Sequence, residues 1–376
     1  MSVEFIGYVG HFNSSETIRR SGPALDIDFV EASAKAQELG GFDRVLVAFH
    51  STSAESILIG QHIASVTERL GLMIAHRPGF TAPTLAARQF ATLDRFSRGR
   101  AAVHIITGGN DAELAQDGDR LTKDERYART SEYLDILRQE WTSPQPFDYE
   151  GRYYQVRRGF GDVKPVRPDG IPVYFGGASA AAIPVAGKHA DVYALWGETY
   201  DQVREIVARI RAAAAPFGRQ PRFSLSLRPI LAETEEQAWA KADAILARAQ
   251  ALKEGGGDRR APQNERHGKI GVAAPPNEGS RRLLAAASQG SRLDKRLWTG
   301  MAALTNASGN STSLVGTPDQ VSEAMLDYYD LGISTFLIRG FDPLVDSIQY
   351  GRELIPRVRA LVAARDAAGH SAVAAE

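Results

Sequence analysis

The residues of this chain best suited to chemistry are a glycine pair, two arginines and four histidines. Gly176-Gly177-Ala178-Ser179 follows an apolar run at 172–175 and opens a helical pattern. Paired glycines let a backbone approach a ligand closely, and a helix start turns free N–H groups outward, which suits an anion or a phosphate. A plain strand-to-helix turn capped by Ser179 accounts for the same letters. Arg228 and Arg339 stand within or at the end of apolar runs. A guanidinium there is costly unless an anion or a carboxylate meets it. Each either clamps a sulfonate, phosphate or carboxylate, or pairs with a buried acid. His11, His50, His76 and His104 stand at the ends of four successive apolar runs. They form no HxH or HxxxH pair with carboxylate support, so they read as pocket lining or as partners of backbone groups, and no metal site is expected. The absence of GxSxG leaves a Ser-His-Asp triad without support. Trp196 is either core or the flat wall of a pocket.

These residues are spaced by a repeating pattern. Apolar, strand-like runs at 4–9, 44–48, 71–75, 101–106, 172–175, 191–195, 223–232 and 335–339 each precede a helix-length amphipathic stretch. Eight strand–helix units in one chain imply an α/β fold, a (β/α)8 TIM-like barrel with insertion segments, rather than an open doubly wound sheet. The lack of a GxGxxG turn after the first run agrees. In such a barrel the strands' C-terminal ends carry the chemistry. His11 follows the first run, Ser53 the second and Thr107 the fourth; Trp196 closes the sixth, Ser226 and Arg228 lie in the seventh, and Arg339 and Phe341 end the eighth. In the seventh, Ser224, Ser226 and Arg228 share one face.

The expected organisation is a single barrel domain over 1–365, a small hairpin near 147–156, a mobile lid insertion near 255–296 and a flexible tail at 366–376. The segment 255–296 is long and rich in Gly, Arg, Pro and Ala, which reads as a lid, a binding loop or disorder. With 376 residues and 43% hydrophobic content the chain can bury a sizeable core. A formal net charge of −1 gives no electrostatic reason to expect nucleic acid or an anionic membrane as partner. No cysteine is present, which excludes disulfides and thiolate chemistry. The N-terminus lacks a basic region followed by an apolar stretch, and no run reaches membrane-span length, so a cytoplasmic protein is expected.

A series of short phrases then narrows the reading. It runs Arg77-Pro78, Pro83-Thr84-Leu85-Ala86-Ala87-Arg88-Gln89, Ala91-Thr92-Leu93-Asp94-Arg95 and Ser97-Arg98-Gly99-Arg100. It continues with Ile106-Thr107-Gly108, Asp124-Glu125-Arg126-Tyr127, Tyr174-Phe175-Gly176-Gly177, Trp196-Gly197-Glu198, Leu297-Trp298-Thr299-Gly300 and Leu314-Val315-Gly316. In this order the phrases resemble the alkanesulfonate monooxygenase branch of the bacterial luciferase-like flavin enzymes, from the first strand to the last helix.

The resemblance implies a luciferase-like barrel that takes FMN as FMNH2 from a separate NAD(P)H-dependent FMN reductase, with O2 as co-substrate. The implied reaction is oxygenation of a small anionic organosulfur compound, with an organosulfonate giving an aldehyde and sulfite as the leading case. Other branches act on sulfones, pyrimidines or chelators. A deazaflavin-dependent dehydrogenase and a non-catalytic flavin carrier are the alternatives. A homodimer or homotetramer is expected. By position, His104, Thr107 and Tyr127 would contact flavin, and Gly177, Ala178 and Ser179 would hold its phosphate. His104 stands where the family usually has Asn, and Ala178 replaces a Ser. His11, Ser53 and Arg228 are the catalytic candidates. Trp196, Ser226, Arg339 and Phe341 are the substrate-binding ones. Ser53 replaces the family's pocket Cys, Ser226 and Arg228 its strand-seven Arg and His, and Phe341 its strand-eight Tyr. The sulfonate clamp is therefore not reproduced residue for residue.

Overall fold

The computed structural model describes residues 3–255, 277–307 and 309–373. Eight parallel strands close into a barrel in the order β1-β14-β9-β8-β7-β4-β3-β2, the TIM-barrel, luciferase-like architecture expected from the alternation. The barrel strands are β1 (Glu4–Val9), β2 (Arg44–Val47), β3 (Gly71–His76), β4 (Ala101–Ile105), β7 (Val173–Gly176), β8 (Val192–Trp196), β9 (Arg222–Leu227) and β14 (Ile333–Ile338). β5 (Phe147–Glu150) and β6 (Gln155–Gly159) form an antiparallel hairpin. β10 (Ile230–Leu231), β11 (Arg292–Leu293), β12 (Leu297–Trp298) and β13 (Ser313–Gly316) make a small sheet in the order β10-β13-β12-β11.

Several helices begin where a capping side chain prescribes. Asp26 caps Ile27–Leu39 by accepting from the Phe29 N–H at 3.0 Å. Thr122 with Glu125, Thr234 with Gln237 and Thr317 with Gln320 are reciprocal capping boxes that satisfy donors the first turn leaves open. Every residue of β3 is buried, which suits a parallel strand covered on both faces.

The chain divides into two compact units. One comprises residues 1–44, 195–207 and 222–376; the other comprises 45–194 and 208–221. In the first, β14 pairs with β1 through Phe5↔Phe336 and with β9 through Leu225↔Phe336 and Leu227↔Ile338. In the second, β4 pairs with β3 and with β7, Ile105 facing Phe175.

Three segments differ from their sequence reading. The seventh run does not continue as one strand from 223 to 232. β9 ends at Leu227; the Arg228 N–H donates to Thr312 O at 3.0 Å, and Pro229 has no N–H for a barrel neighbour. The chain therefore leaves the barrel, and β10 pairs with β13 instead. In the proposed lid, residues 256–276 lie outside the described residues, but Glu278–Ala287 is a helix capped by Asn277. Gln-Gly punctuation after that helix hides its period in the sequence. The last helix, Ile355–Val373, continues past Asp366, where a flexible tail is expected. Among the described residues no helix is long and apolar enough to cross a membrane.

Candidate functional site

In the second unit, the ends of β4 and β7 carry a group of polar atoms that the protein does not satisfy. His104 lies in β4 opposite Tyr174 of β7, and an ideal Cβ on Gly176 would stand 3.9 Å from His104 Cε1. Gly177 follows with φ +141, a conformation that glycine alone adopts without strain. A Cβ there would stand 2.7 Å from the Tyr127 hydroxyl and 3.0 Å from Ala182 Cβ. Tyr193 Oη donates to the Gly177 carbonyl at 2.8 Å and fixes the turn. The helix starts at Ala182, three residues later than the sequence suggests. The Ser179 carbonyl accepts from the Ala182 and Ile183 N–H groups, whereas its hydroxyl caps nothing. Ser179 Oγ faces the Tyr127 hydroxyl closely enough to interact with it, but not in hydrogen-bond geometry.

Thr107 Oγ1 and His104 Nδ1 are likewise buried without a hydrogen bond among the described residues. A buried unsatisfied polar atom costs about 1–3 kcal/mol, so three in one stretch of the fold call for a ligand or water. Burial lowers His104 to about 4, so its imidazole is neutral and can accept or donate one hydrogen bond. Burial also pushes the Tyr127 phenol up. Hydroxyls, a neutral imidazole and a backbone kept open by glycine fit the phosphate and ring edge of a flavin mononucleotide.

A second cluster of this unit gathers around Glu113. Arg77 Nη2 donates to Glu113 Oε1 at 2.6 Å, and Arg77 Nη1 donates to Ser51 Oγ at 3.0 Å. The Ser51 N–H donates to the same carboxylate at 3.1 Å, and His50 Nδ1 lies 3.5 Å away. Burial alone would raise the Glu113 carboxyl, but His50, Arg77 and Ser51 outweigh it and hold it at about 2. Ser53, a catalytic candidate, is committed to the turn beside this cluster. Its hydroxyl donates to His50 O at 2.8 Å and accepts from the His50 N–H at 2.9 Å.

In the first unit, the ends of β9 and β14 bring Arg228, Arg339 and Phe341 together with two residues that sequence reasoning missed, Glu16 and Tyr8. Arg228 is 0% exposed. Its guanidinium carbon lies 3.6 Å above the centre of the Phe341 ring, and Nη2 donates to Gly340 O at 3.0 Å. Arg228 Nη1 is 2.8 Å from Glu16 Oε2, close in charge though not aligned as a hydrogen bond. Arg339 Nη2 donates to Glu16 Oε1 at 3.2 Å, and its guanidinium lies over the Tyr8 ring at 5.3 Å. Burial alone would raise Glu16, but the two guanidiniums hold it at about 2. Desolvation lowers Arg228 to about 10, so it stays charged at neutral pH. A small cavity opens here, lined by Tyr8, Ser14, Ser15, Arg228, Arg339 and Gly340. The acid that the sequence left open for Arg228 is thus Glu16. It sits in the loop after β1, and the only trace of it in the sequence is an acidic residue five positions beyond His11.

The remaining candidates of this unit lie elsewhere in it. Trp196 ends β8 half-buried against Leu283, Ala302 and Ala307. Ser226 is buried in β9. The His11 ring packs edge-on against Phe12 at 4.3 Å, and its carbonyl accepts from the Asp26 N–H. Among the described residues no group of three or more His, Asp or Glu side chains is arranged to hold a metal ion.

The chain matches the luciferase-like monooxygenase family over residues 7–335. The EDTA monooxygenase of Chelativorans sp. BNC1 superposes with a TM-score of 0.75 at 19% identity, over 96% of this chain and 94% of that one. DmoA from Hyphomicrobium sulfonivorans gives 0.72 at 19% identity, over 96% and 88%. The oxygenating constituent of 3,6-diketocamphane monooxygenase of Pseudomonas putida, solved in complex with FMN, gives 0.70 at 17%, over 95% and 99%.

Proposed function

The chain belongs to the luciferase-like monooxygenase family, and we propose that within it the protein is a two-component enzyme that uses FMNH2 and O2 to oxygenate a small anionic organosulfur compound. The leading case is an organosulfonate cleaved to an aldehyde and sulfite. FMNH2 comes from a separate NAD(P)H-dependent reductase.

The observation that carries the anionic substrate is the charge count at the ends of β9 and β14. Two guanidiniums, of Arg228 and Arg339, share the single carboxylate of Glu16. One positive charge is left over in a half-buried place, and a sulfonate neutralises it. Arg339, 29% exposed, is the contact; Arg228, 0% exposed, supports it through their shared partner Glu16.

Reduced FMN, when bound, supplies the activation of O2. Gly177 and the backbone of Ala178 and Ser179 leave room and N–H groups for its phosphate, with the Ser179 hydroxyl as a further donor. Thr107 and Tyr127 hold it by their hydroxyls. His104 stays neutral, so it orients the ring by one hydrogen bond and brings no charge. Trp196 gives the substrate a flat apolar surface. The groups from His104 to Ser179 also exclude water, which protects a reactive flavin from wasteful decay.

A screen of organosulfonates, sulfones and uncharged analogues decides the matter, with FMN, NADH, a generic flavin reductase and air. Sulfite release from a sulfonate, dependent on every component, is the expected result. Oxygenation of uncharged analogues with no sulfonate turned over would overturn the anionic substrate and leave the monooxygenase chemistry standing.

A further inference from the structure

We propose that Glu16 sets the charge of the ligand this site accepts, so that it takes a monoanionic headgroup and rejects a dianionic one. The inference rests on the anion site proposed above and adds to it a residue that chooses among anions.

The loop after β1 is built to hold Glu16 in place. The residues on either side of it, Ser15 and Thr17, both donate their hydroxyls to the Phe341 carbonyl, at 2.5 and 3.1 Å. The two hydroxyls also lie 3.0 Å from each other. The backbone of Glu16 is thus tied to the chain just beyond β14. Its side chain turns the other way, into the space between Arg228 and Arg339. Arg228 in turn is fixed by the Phe341 ring on one face and by Gly340 O at Nη2.

The pairing is incomplete. Arg228 Nε and Arg339 Nε are buried without a hydrogen bond among the described residues. Another carboxylate of this region, Asp346, accepts from the Phe341 and Asp342 N–H groups, at 2.8 and 3.0 Å, and has its own cation in Lys241, 3.7 Å away. The cluster of Arg228, Arg339 and Glu16 therefore carries a net +1. A sulfonate or carboxylate brings it to zero. A phosphonate dianion brings it to −1 and sets a second negative charge beside Glu16, which is already at full charge. Attraction to a net +1 only doubles with the second charge, whereas the cost of taking the headgroup out of water grows with the square of its charge, so the monoanion is the better ligand.

The experiment measures binding of two probes of equal length, octanesulfonate and octylphosphonate, by calorimetry at pH 8.5, where the phosphonate is largely dianionic. The full chain without flavin is used, so the readout does not depend on turnover. The wild-type protein should prefer the sulfonate. Glu16→Gln should move the ratio of the two dissociation constants towards the phosphonate by about tenfold or more, the size expected for one charge at close range in a half-buried site. Since Glu16→Gln strips Arg228 of its partner, the double variant Glu16→Gln with Arg228→Met is made as well. It restores the net +1 on Arg339 alone, and the sulfonate preference should return. An unchanged ratio in Glu16→Gln, or a double variant that keeps the shifted ratio, overturns the role of Glu16 and leaves the anion site standing. Failure of the wild-type protein to bind either probe overturns the anion site itself, and with it this inference.

Discussion

Arg282 lies across the Glu198 carboxylate, donating from Nε at 2.9 Å and from Nη2 at 2.7 Å. Both side chains are nearly enclosed, at 9% and 4% exposure. The pair ties the helix Glu278–Ala287 to the chain just past β8, where the Trp196 ring packs so closely that a Cβ on Gly279 would be 2.9 Å from it. Removing one partner strands a buried charge. Arg282→Met should therefore cost about 3–5 kcal/mol, whereas Arg282→Met with Glu198→Gln should recover most of it. Urea denaturation of the two variants is the check. Equal losses in both would mean that the packing of the helix matters and the charge pair does not.

Glu113 gives the fold an acid-sensitive tie. Its folded value, about 2, lies below the ordinary glutamate value because His50, Arg77 and Ser51 favour the carboxylate over the cost of burial. A depressed acid contributes stability above its unfolded value and loses it as pH falls through the folded one. The window is therefore about pH 4.5 down to about 2, and the contribution is about 3 kcal/mol. Glu113→Gln should be less stable than wild type at pH 6, and most of the gap should be gone by about pH 2.5. A gap that stays constant across that range would show that the carboxylate's charge is not what matters.

Gly177 tests the phosphate seat. Its φ of +141 and the 2.7 Å approach of the Tyr127 hydroxyl leave no place for a side chain. Gly177→Ala should fold with a lower melting temperature and bind FMN at least about tenfold more weakly, since the turn must shift the N–H groups that meet the phosphate. Fluorescence titration with FMN reads the affinity. A folded Gly177→Ala protein with unchanged affinity would move the phosphate elsewhere.

The barrel was legible because its signal is local. Each strand is a short apolar run and several helices bring their own cap, as Asp26, Thr122 and Thr317 show. The family was legible for the same reason, since its phrases are contiguous. The break after β9 was not, because Ile230 and Leu231 continue the apolar run and only the Arg228 N–H, bonded to Thr312, shows that the chain has left the barrel. The partner of Arg228 was not legible either. Glu16 lies near the other end of the chain, and no sequence pattern says which acid the closed barrel brings to which guanidinium. The cluster of Glu16, Arg228 and Arg339 is thus visible only once β1, β9 and β14 stand side by side.

His76 and His104 make stability depend on pH near neutrality. Burial lowers both to about 4, and His76 is 6% exposed with Nε2 2.7 Å from Tyr133 Oη. Between about pH 6.5 and about 4 the unfolded chain takes up protons that the folded one refuses, so stability is lost as pH falls. For His76 the full loss is about 3 kcal/mol. Denaturation midpoints measured from pH 7 to pH 5 should fall, and His104→Asn, which removes one titrating group, should flatten the slope. An unchanged slope in a folded His104→Asn protein would count against a neutral, buried His104.

Arg228 and Arg339 share Glu16 but should fail in different ways. Arg228 is wholly enclosed, stacked on Phe341, and its loss leaves Glu16 with a weaker partner and Gly340 O without its donor. Arg228→Met should therefore destabilise the fold by about 3–5 kcal/mol, as broken buried pairs do. Arg339 keeps 29% of its side chain exposed and touches Glu16 at a longer 3.2 Å. Arg339→Met should cost about 1 kcal/mol of stability at most, in line with partly exposed pairs. It should weaken binding of a sulfonate probe by about 1.5–3 kcal/mol, the worth of a hydrogen bond to a charged group. Melting temperature, FMN affinity and octanesulfonate affinity, taken on one preparation of each variant, separate the two roles. If Arg228→Met kept its stability and lost only sulfonate binding, the enclosed arginine would be the substrate's direct partner, and the assignment of the two would reverse.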